Sequence, residues 1–295
     1  RNGSSFHRVL AWCGALVLAS GATGCGSISS SPQPQPALSV NGPLKVWAIN
    51  HQHELVSFMV DAPGKLVSKN ALQGLGPGEV IVGLDFRVAR GQLYALSQFG
   101  RLYTIDTATA LLTAVNAQSV WGAFMPGRWG IDFNPTVDRI RIVHESGLNL
   151  RVHPDTGAQI DGDANQAGVQ PDASLAYVDT DIHAGKVPKV AAAAYTYNQH
   201  NSKITTNFAL DLAQGTLVTQ GSQEDVMPAI SPNTGKLFTV GSLGLGSIAQ
   251  ASFDISDVKN EAYVALALYE DMRTKLYRVD LETVQAVEVG QVLDG

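Results

Sequence analysis

Residues 83–116 read GLDFRVARGQLYALSQFGRLYTIDTATALLTAVN, a stretch with four short runs of β-branched, aromatic and aliphatic residues. Gly91 and Gly100 separate the first three runs, and residues 107–110 precede the fourth. Runs of this composition predict β-strands, and the short breaks between them predict tight turns. The stretch therefore predicts one four-stranded meander.

The same order of motifs returns twice along the chain. Residues 130–161 contain Gly-Ile-Asp-Phe, Arg-Ile-Arg-Ile-Val, Asn-Leu-Arg-Val and an Asp-Thr-Gly turn, and a third copy runs from Ser252 onward. A four-strand unit that recurs about every 40 residues is typical of a β-propeller, in which each blade is one such sheet. We therefore predict an all-β fold, a β-propeller of four-stranded blades, and the units counted over residues 44–295 favour five blades over six.

The predicted strands are apolar on both faces. In the second run of the quoted stretch, Leu93 and Ala95 point to one face, and Tyr94 and Leu96 to the other. A sheet with one solvated face would alternate apolar with polar residues, so both faces must be covered, as they are where blades stack. The pattern also argues against an immunoglobulin-type sandwich.

Two predicted blades are irregular. The first has three strands and lacks its innermost one, for which residues 37–40 or 289–293 could serve. In the fourth, residues 174–178 are assigned to the inner strand, with the next strands at 187–197 and 205–211 and the edge formed by 216–219 and 235–240.

Residues 1–24 have the composition of a secretory signal peptide, with Arg1 and Arg8 before an apolar run at 9–20. Ala-Thr-Gly-Cys25 resembles the bacterial lipobox but lacks the usual Leu, and ordinary cleavage near Ala22 is the alternative. Residues 25–43 are predicted to be a lipidated cysteine and a flexible Ser/Pro/Gln tether, and residues 44–295 the propeller domain. We expect an extracytoplasmic lipoprotein attached to the membrane by its lipid anchor, with the outer membrane favoured because no Asp follows Cys25.

Composition limits the chemistry of the domain. Both cysteines, Cys13 and Cys25, precede the predicted propeller, so it holds no disulfide and no thiolate metal site. A formal net charge of −6 without a basic cluster argues against a nucleic-acid partner. We find no Gly-x-Ser-x-Gly, His-Glu-x-x-His or phosphate-loop motif.

The candidate metal ligands are Asp85, Asp132 and Asp254, which share one register of the predicted innermost strands. Since innermost strands surround the central channel, three carboxylates could converge at its mouth and bind a divalent cation such as calcium. The corresponding residue of the fourth blade is Ala176, so the ring is incomplete. The alternative, which we favour, is that each aspartate accepts hydrogen bonds from backbone donors where blades meet.

Other polar residues have simpler interpretations. The aspartates that follow predicted third strands should accept backbone hydrogen bonds in turns; they are Asp106, Asp155, Asp211 and Asp280. His51 and His53 are two residues apart, and we interpret them as exposed loop residues. The arginines of a local basic stripe could grip an anion or pair with acidic residues; they are Arg139, Arg141 and Arg151.

Several motifs resemble a bacterial exported family catalogued as domain of unknown function 4394. They include Gly83-Leu-Asp-Phe-Arg, Gly91-Gln-Leu-Tyr, Gly100-Arg-Leu-Tyr-Thr-Ile-Asp, Phe133-Asn-Pro-Thr-Val-Asp-Arg-Ile-Arg, Gly147-Leu-Asn-Leu-Arg and Pro154-Asp-Thr-Gly. The resemblance runs from about residue 45 to 292 and is strongest between 83 and 157. It implies an exported propeller-like domain and no particular substrate.

Two functional classes follow. The favoured one is a non-enzymatic binding or scaffolding module at the cell envelope, with a protein, glycan or small-molecule ligand, because no nucleophile–base pair or full metal-ligand set is recognisable. The alternative is a metal-dependent hydrolase similar to lactonase-type propellers, with a channel-bound ion that polarises an ester carbonyl.

Overall fold

The computed structural model describes residues 44–115, 119–121, 125–257 and 259–294, and the backbone of residues 16–19. Short 3₁₀ turns lie at Val88–Arg90 and Pro232–Thr234. Among these residues, no helix has the length and apolar character that would let it cross a membrane. The strands are β1 (Leu16–Ala19), β2 (Lys45–Ile49), β3 (Glu54–Met59), β4 (Ala62–Ala71), β5 (Ile81–Arg87), β6 (Gln92–Ser97), β7 (Leu102–Ile105), β8 (Leu112–Ala114), β9 (Trp129–Asn134), β10 (Arg139–His144), β11 (Asn149–Val152), β12 (Ala176–Tyr177), β13 (Val190–Tyr195), β14 (Asn207–Asp211), β15 (Thr216–Gln220), β16 (Lys236–Ser242), β17 (Ile248–Ile255), β18 (Ala262–Leu268), β19 (Lys275–Val279) and β20 (Ala286–Gln291).

These strands form five small sheets in a ring, which is a five-bladed β-propeller. Blade 1 is β1–β4, blade 2 is β5–β8, blade 3 is β9–β11, blade 4 is β12–β16 and blade 5 is β17–β20. The innermost strands β1, β5, β9, β13 and β17 contact their neighbours around the ring. The predicted all-β propeller with five blades is confirmed, although the blades have three to five strands instead of a uniform four.

Apolar clusters between the blades hold the ring together. Leu93 and Ala95 pack toward blade 1 with Trp47 and Leu55, whereas Tyr94 and Leu96 pack toward blade 3. Burial on both faces removes apolar surface from water at about 25 cal/mol per Å², and this is the main favourable term in the packing. A further cluster joins blade 1 to blade 5, and the ring is therefore closed by packing between sheets.

Blade 4 differs from its predicted arrangement. The predicted inner strand at 174–178 is wrong, because Ala176–Tyr177 forms β12 at the outer edge, parallel to β16. The inner strand is β13, in which Ala191–Ala194 are all buried. The small side chains of β13 allow its backbone to lie close to the neighbouring inner strands β9 and β17. On the β9 side, a Cβ on Gly130 would lie 2.8 Å from the Ala192 Cα.

Blade 1 takes its inner strand from an unexpected place. Residues 289–293 do not fill the gap, since β20 is the outer strand of blade 5. The inner strand is β1, which lies within the predicted signal peptide and pairs antiparallel with β2. Cys13, Cys25, the alternative strand at 37–40 and the tether lie outside the described residues.

Candidate functional site

The three candidate aspartates are buried at one end of the channel. Each lies near the C-terminal end of an inner strand, in Gly-Leu-Asp85-Phe of β5, Gly-Ile-Asp132-Phe of β9 and Ser-Phe-Asp254-Ile of β17. Their carboxylates approach so closely that one oxygen of each lies within 4.8 Å of the others. Within the described residues, this is the one group of three or more His, Cys, Asp or Glu side chains that could hold a metal ion. We call the three residues the aspartate cluster.

Two members of the aspartate cluster bridge neighbouring blades. Asp85 Oδ1 accepts from its own neighbour Phe86 N–H at 2.6 Å, and Asp85 Oδ2 accepts from Phe133 N–H of blade 3 at 2.6 Å. Asp132 Oδ2 in turn accepts from Tyr195 N–H of blade 4 at 3.3 Å. Asp85 and Asp132 therefore accept from backbone donors where blades meet, as expected, whereas Asp254 Oδ1 accepts from Ile255 N–H of its own strand at 2.7 Å.

The same contacts correct the register of blade 4. Phe133, whose N–H donates to Asp85, is the residue directly after Asp132. Tyr195, whose N–H donates to Asp132, is the residue directly after Ala194. Ala194 is therefore the residue of blade 4 that is equivalent to the aspartates. Ala176, the predicted equivalent, lies on the outer strand β12. Blade 4 therefore contributes no carboxylate to the cluster, because Ala194, and not the predicted Ala176, occupies the equivalent position.

Burial dominates the electrostatics of the aspartate cluster. Loss of solvation raises the pKa of Asp85 to about 7, although hydrogen bonds from Phe133 and Phe86 oppose the shift. Burial, followed by repulsion from Asp85 and Asp254, raises the pKa of Asp132 well above its ordinary value. Close buried carboxylates cannot all ionise, and the cluster therefore retains protons near neutral pH.

Two interstrand loops meet near the aspartate cluster. Tyr197 N–H donates to Asn260 Oδ1 at 2.7 Å, and Asn260 Nδ2 donates to the Tyr197 carbonyl at 2.5 Å. Burial, and then the neighbouring aspartates, raise the pKa of the Tyr197 phenol well above its ordinary value. Sequence reasoning missed both residues because they lie in different interstrand loops and their pairing has no local pattern.

The channel itself is narrow. The cavity among the inner strands measures about 20 Å³, close to the space of one water molecule. Its lining comes from four inner strands and consists of Val82, Gly83, Leu84, Trp129, Gly130, Ile131, Ala192, Ala193, Ser252 and Phe253. A Cβ on Gly83 would lie 2.3 Å from Ile131 Cγ2, so glycine is needed for this close approach.

The remaining histidine and arginine candidates are not part of the aspartate cluster. His51 and His53 are exposed in the turn between β2 and β3. Arg141 is buried against Asp172, with an Nη1–Oδ2 distance of 2.6 Å, and Arg151 donates to both oxygens of the same carboxylate. Arg139 donates to the backbone carbonyls of residues 137 and 138. Two arginines of the stripe therefore pair with an acidic residue.

The turn aspartates divide into two groups. Asp106 and Asp280 each accept two backbone N–H bonds in the predicted turns, with Oδ1 as the acceptor. Asp211 is the last residue of β14, the second strand of its blade instead of the third. Its Oδ1 accepts from Ala213 N–H in the predicted turn and from Lys189 N–H, and its Oδ2 accepts from the Tyr177 hydroxyl. Asp155 pairs with the neighbouring blade instead of accepting a turn bond.

That partner of Asp155 is Arg87, a buried residue that the sequence patterns did not single out. Its Nε and Nη2 donate to Asp138 at 2.9 and 2.5 Å, and its Nη1 donates to Asp155 Oδ1 at 2.5 Å. The side chain of Arg87 is only 3% exposed, whereas those of Asp138 and Asp155 are each 42% exposed. One guanidinium thus joins blade 2 to blade 3 through two carboxylates.

Five sheets in a ring, with two of their junctions bridged by buried aspartates, place the protein in the class of β-propellers. The chain belongs to the family described as Domain of unknown function (DUF4394), whose model matches residues 54–295. No curated protein matches it.

Among solved structures, the chain is similar to YCF48 from Cyanidioschyzon merolae, with 12% identity, 84% of this chain and 70% of that chain covered and a TM-score of 0.39. It is also similar to a structural-genomics protein of unknown function from Bacteroides thetaiotaomicron, with 14% identity, coverage of 85% and 56% and a TM-score of 0.47. Glutaminyl cyclase from Myxococcus xanthus is similar at 12% identity, with coverage of 81% and 88% and a TM-score of 0.45. These low TM-scores transfer no function to this chain.

Proposed function

We propose that the protein is a non-enzymatic binding or scaffolding module at the bacterial cell envelope, with a protein, glycan or small-molecule ligand. The observation that carries this proposal is the use of the aspartate cluster inside the fold. One carboxylate oxygen of Asp85 accepts from Phe86 N–H and the other accepts from Phe133 N–H of the next blade. Asp85 therefore contributes to the contact between two blades.

Two larger cavities support a ligand site away from the aspartate cluster. The channel cavity of about 20 Å³ is far below the roughly 300–1,000 Å³ of ligand pockets. A cavity of about 400 Å³ lies beside blade 1, where Asn50, Glu54 and Lys69 are among its lining residues. Another of about 480 Å³ includes Arg128, Lys189 and Tyr269 and lies at the channel end opposite the aspartate cluster. Both of these cavities fall in that range, and neither is lined by a residue of the aspartate cluster.

A second candidate function rests on the closeness of the three carboxylates. Oxygen ligands about 2.3–2.6 Å from a shared calcium ion lie within 4.8 Å of one another in many arrangements, so Asp85, Asp132 and Asp254 fit a divalent cation. Such an ion would supply Lewis-acid polarisation of an ester carbonyl in a hydrolase. The residues would hold the ion through oxygens that also accept backbone hydrogen bonds, and the ion would compete with the retained protons.

A melting series in millimolar calcium separates the two functions. The proteins are the wild type, D85N, D132N, D254N and the double variant D85N/D132N, with D106N as a matched control in an exposed turn. The binding module predicts no calcium-dependent rise in Tm in any of them. A wild-type rise of several degrees that disappears in each cluster variant and persists in D106N would overturn the proposal in favour of the metal-dependent hydrolase.

The proposed localisation is extracytoplasmic, at the outer membrane, to which a lipid on Cys25 would anchor the protein. Its support is the signal-like composition of residues 1–24 and the small residues before Cys25, followed by a Ser/Pro/Gln tether. A tethered domain of net negative charge would be held at an anionic membrane by its lipid.

A further inference from the structure

The cavity that includes Arg128, Lys189 and Tyr269 is lined by residues of three blades. Arg128 directly precedes the inner strand β9 of blade 3, and Lys189 directly precedes β13 of blade 4. Tyr269 directly follows β18 of blade 5. The turn between β14 and β15 and the start of β17 complete the lining. We call this the three-blade cavity, and its volume is about 480 Å³.

Arg128 is held in one orientation by partners on two blades. Glu145 of blade 3 accepts from the backbone N–H of Arg128 at 3.1 Å and from its Nη1 at 2.6 Å. The Nη2 of Arg128 donates to the Tyr269 hydroxyl of blade 5 at 3.0 Å. A guanidinium has five N–H donors, and in the described part of the chain two of them are bonded, which leaves three. The side chain is 32% exposed, so a ligand can reach these oriented donors.

The lining is positively charged, although the protein as a whole is acidic. Its two charged residues are Arg128 and Lys189, and no described residue of the lining carries a carboxylate. Lys189 is exposed and forms no ion pair within the described ranges. The formal net charge of the chain is −6. The three-blade cavity is therefore suited to a ligand with a negative charge.

Three acidic residues adjoin the three-blade cavity, and each has a partner. Glu145 is bonded to Arg128, as described above. Asp211 is fully buried and accepts from the backbone N–H of Lys189 at 2.8 Å. Glu270 is exposed and accepts from Ser247 N–H at 3.4 Å. These carboxylates orient Arg128 and the surrounding backbone, and the ammonium of Lys189 keeps its charge available to a ligand.

We propose that the three-blade cavity binds an acidic saccharide, a sugar ring that carries a carboxylate. The guanidinium of Arg128 and the ammonium of Lys189 match carboxylate oxygens with charge-assisted hydrogen bonds. Tyr269 is 64% exposed and offers an aromatic face to the apolar face of a sugar ring. Gln214 and Ser247 supply polar groups for the sugar hydroxyls. This inference rests on the proposed binding function and names the ligand class of its site.

Calorimetric titration of the full chain with digalacturonate tests the proposal. We expect saturable binding that weakens as salt is added, because the attraction is between charges. The dimethyl ester of digalacturonate keeps both sugar rings and loses both charges, so it should not bind. Acetate has the carboxylate without the ring and should bind at least about tenfold more weakly than digalacturonate.

Four variants locate the site. Lys189→Met should weaken binding of digalacturonate at least about tenfold, and Tyr269→Ala about threefold or more. Glu270→Gln should tighten binding, since it removes a negative charge beside the cavity. Lys186→Met is the matched control, because Lys186 is exposed and does not line the cavity. Unchanged Tm values in all four would show that the variants are folded.

The outcomes separate this proposal from the proposed function. No binding of digalacturonate, equal binding of its dimethyl ester, or an unchanged Kd in both K189M and Y269A would overturn the acidic saccharide. The ligand recovered after the titration should be intact. Cleaved ligand would contradict the non-enzymatic function and leave the ligand class standing, whereas the calcium melting series tests that function without any saccharide.

Discussion

Asp85 Oδ2 accepts a 2.6 Å hydrogen bond from the backbone N–H of Phe133, and this bond joins blade 2 to blade 3. Asp132 repeats the contact with Tyr195 N–H between blades 3 and 4. In both cases a buried carboxylate accepts the bond. The donor is the N–H of the residue that directly follows the equivalent position in the inner strand of the next blade. The repeated Gly-x-Asp motif therefore joins blades, and this geometry generates the first predictions.

Changing Asp85 to Asn should destabilise the protein. Each carboxylate oxygen of Asp85 accepts a different N–H, whereas the amide of Asn offers one acceptor and turns a donor toward the other N–H. We expect a loss of about 1–3 kcal/mol in the free energy of unfolding, measured by urea denaturation. D106N is the control, since both turn bonds of Asp106 use Oδ1, which Asn keeps. Equal losses in the two variants would contradict the blade-joining role.

Stability should also depend on pH through Asp85. Burial raises its folded-state pKa from the ordinary value of 3.8 to about 7, so between these values the folded state binds more protons than the unfolded state. Stability attributable to this group is therefore present at low pH and is lost as pH rises toward about 7. Urea denaturation between pH 4 and 8 should show this decline in the wild type and a weaker one in D85N. Parallel curves for the two proteins would refute the prediction.

Gly130→Ala should be costly because the space for a side chain is filled by backbone. A Cβ there would lie 2.8 Å from the Ala192 Cα and the Ala193 nitrogen, which cannot rotate away. Overpacking of this kind costs about 1–3 kcal/mol. Gly64→Ala is the matched control, because its Cβ would meet nothing closer than the Gln291 carbonyl at 3.5 Å. Thermal unfolding should show a lower Tm for G130A than for G64A, and similar values would argue against tight packing of β9 on β13.

Removing the two acidic partners of Arg87 should cost more stability than removing the charge of Arg87 itself. Loss of both carboxylates in D138N/D155N leaves a buried guanidinium without a counter-charge, which costs about 3–5 kcal/mol. R87M leaves two carboxylates that are each 42% exposed and can be solvated, so its cost should be smaller. Denaturant unfolding of both variants measures the difference. A larger loss in R87M would show that the arginine acts through packing of its stem more than through charge.

Lipid attachment should depend on one cysteine. Metabolic labelling with a palmitate analogue is expected to tag the wild type and C13S, and to leave C25S unlabelled, because only Cys25 follows the lipobox-like residues. Equal labelling of wild type and C25S would refute lipidation at this position.

The recurring four-strand unit was enough to predict the propeller, and the alternation of side chains along its strands predicted part of the packing. Leu93 and Ala95 face blade 1, and Tyr94 and Leu96 face blade 3, as their order in the strand requires. The shared register of Asp85, Asp132 and Asp254 was likewise readable, because equivalent positions of repeated blades lie at the same height in the ring. These features depend on neighbours a few residues apart.

Only the tertiary structure decided which segments occupy the inner positions of blades 1 and 4. β13 and β12 both read as short strands, but β13 lies in the ring because its alanines fit between β9 and β17, whereas β12 pairs with the outer edge. The bonds of Arg87 to Asp138 and of Tyr197 to Asn260 join residues 51 and 63 positions apart. Such pairings depend on how separate blades meet in space, and no local period in the sequence encodes that geometry.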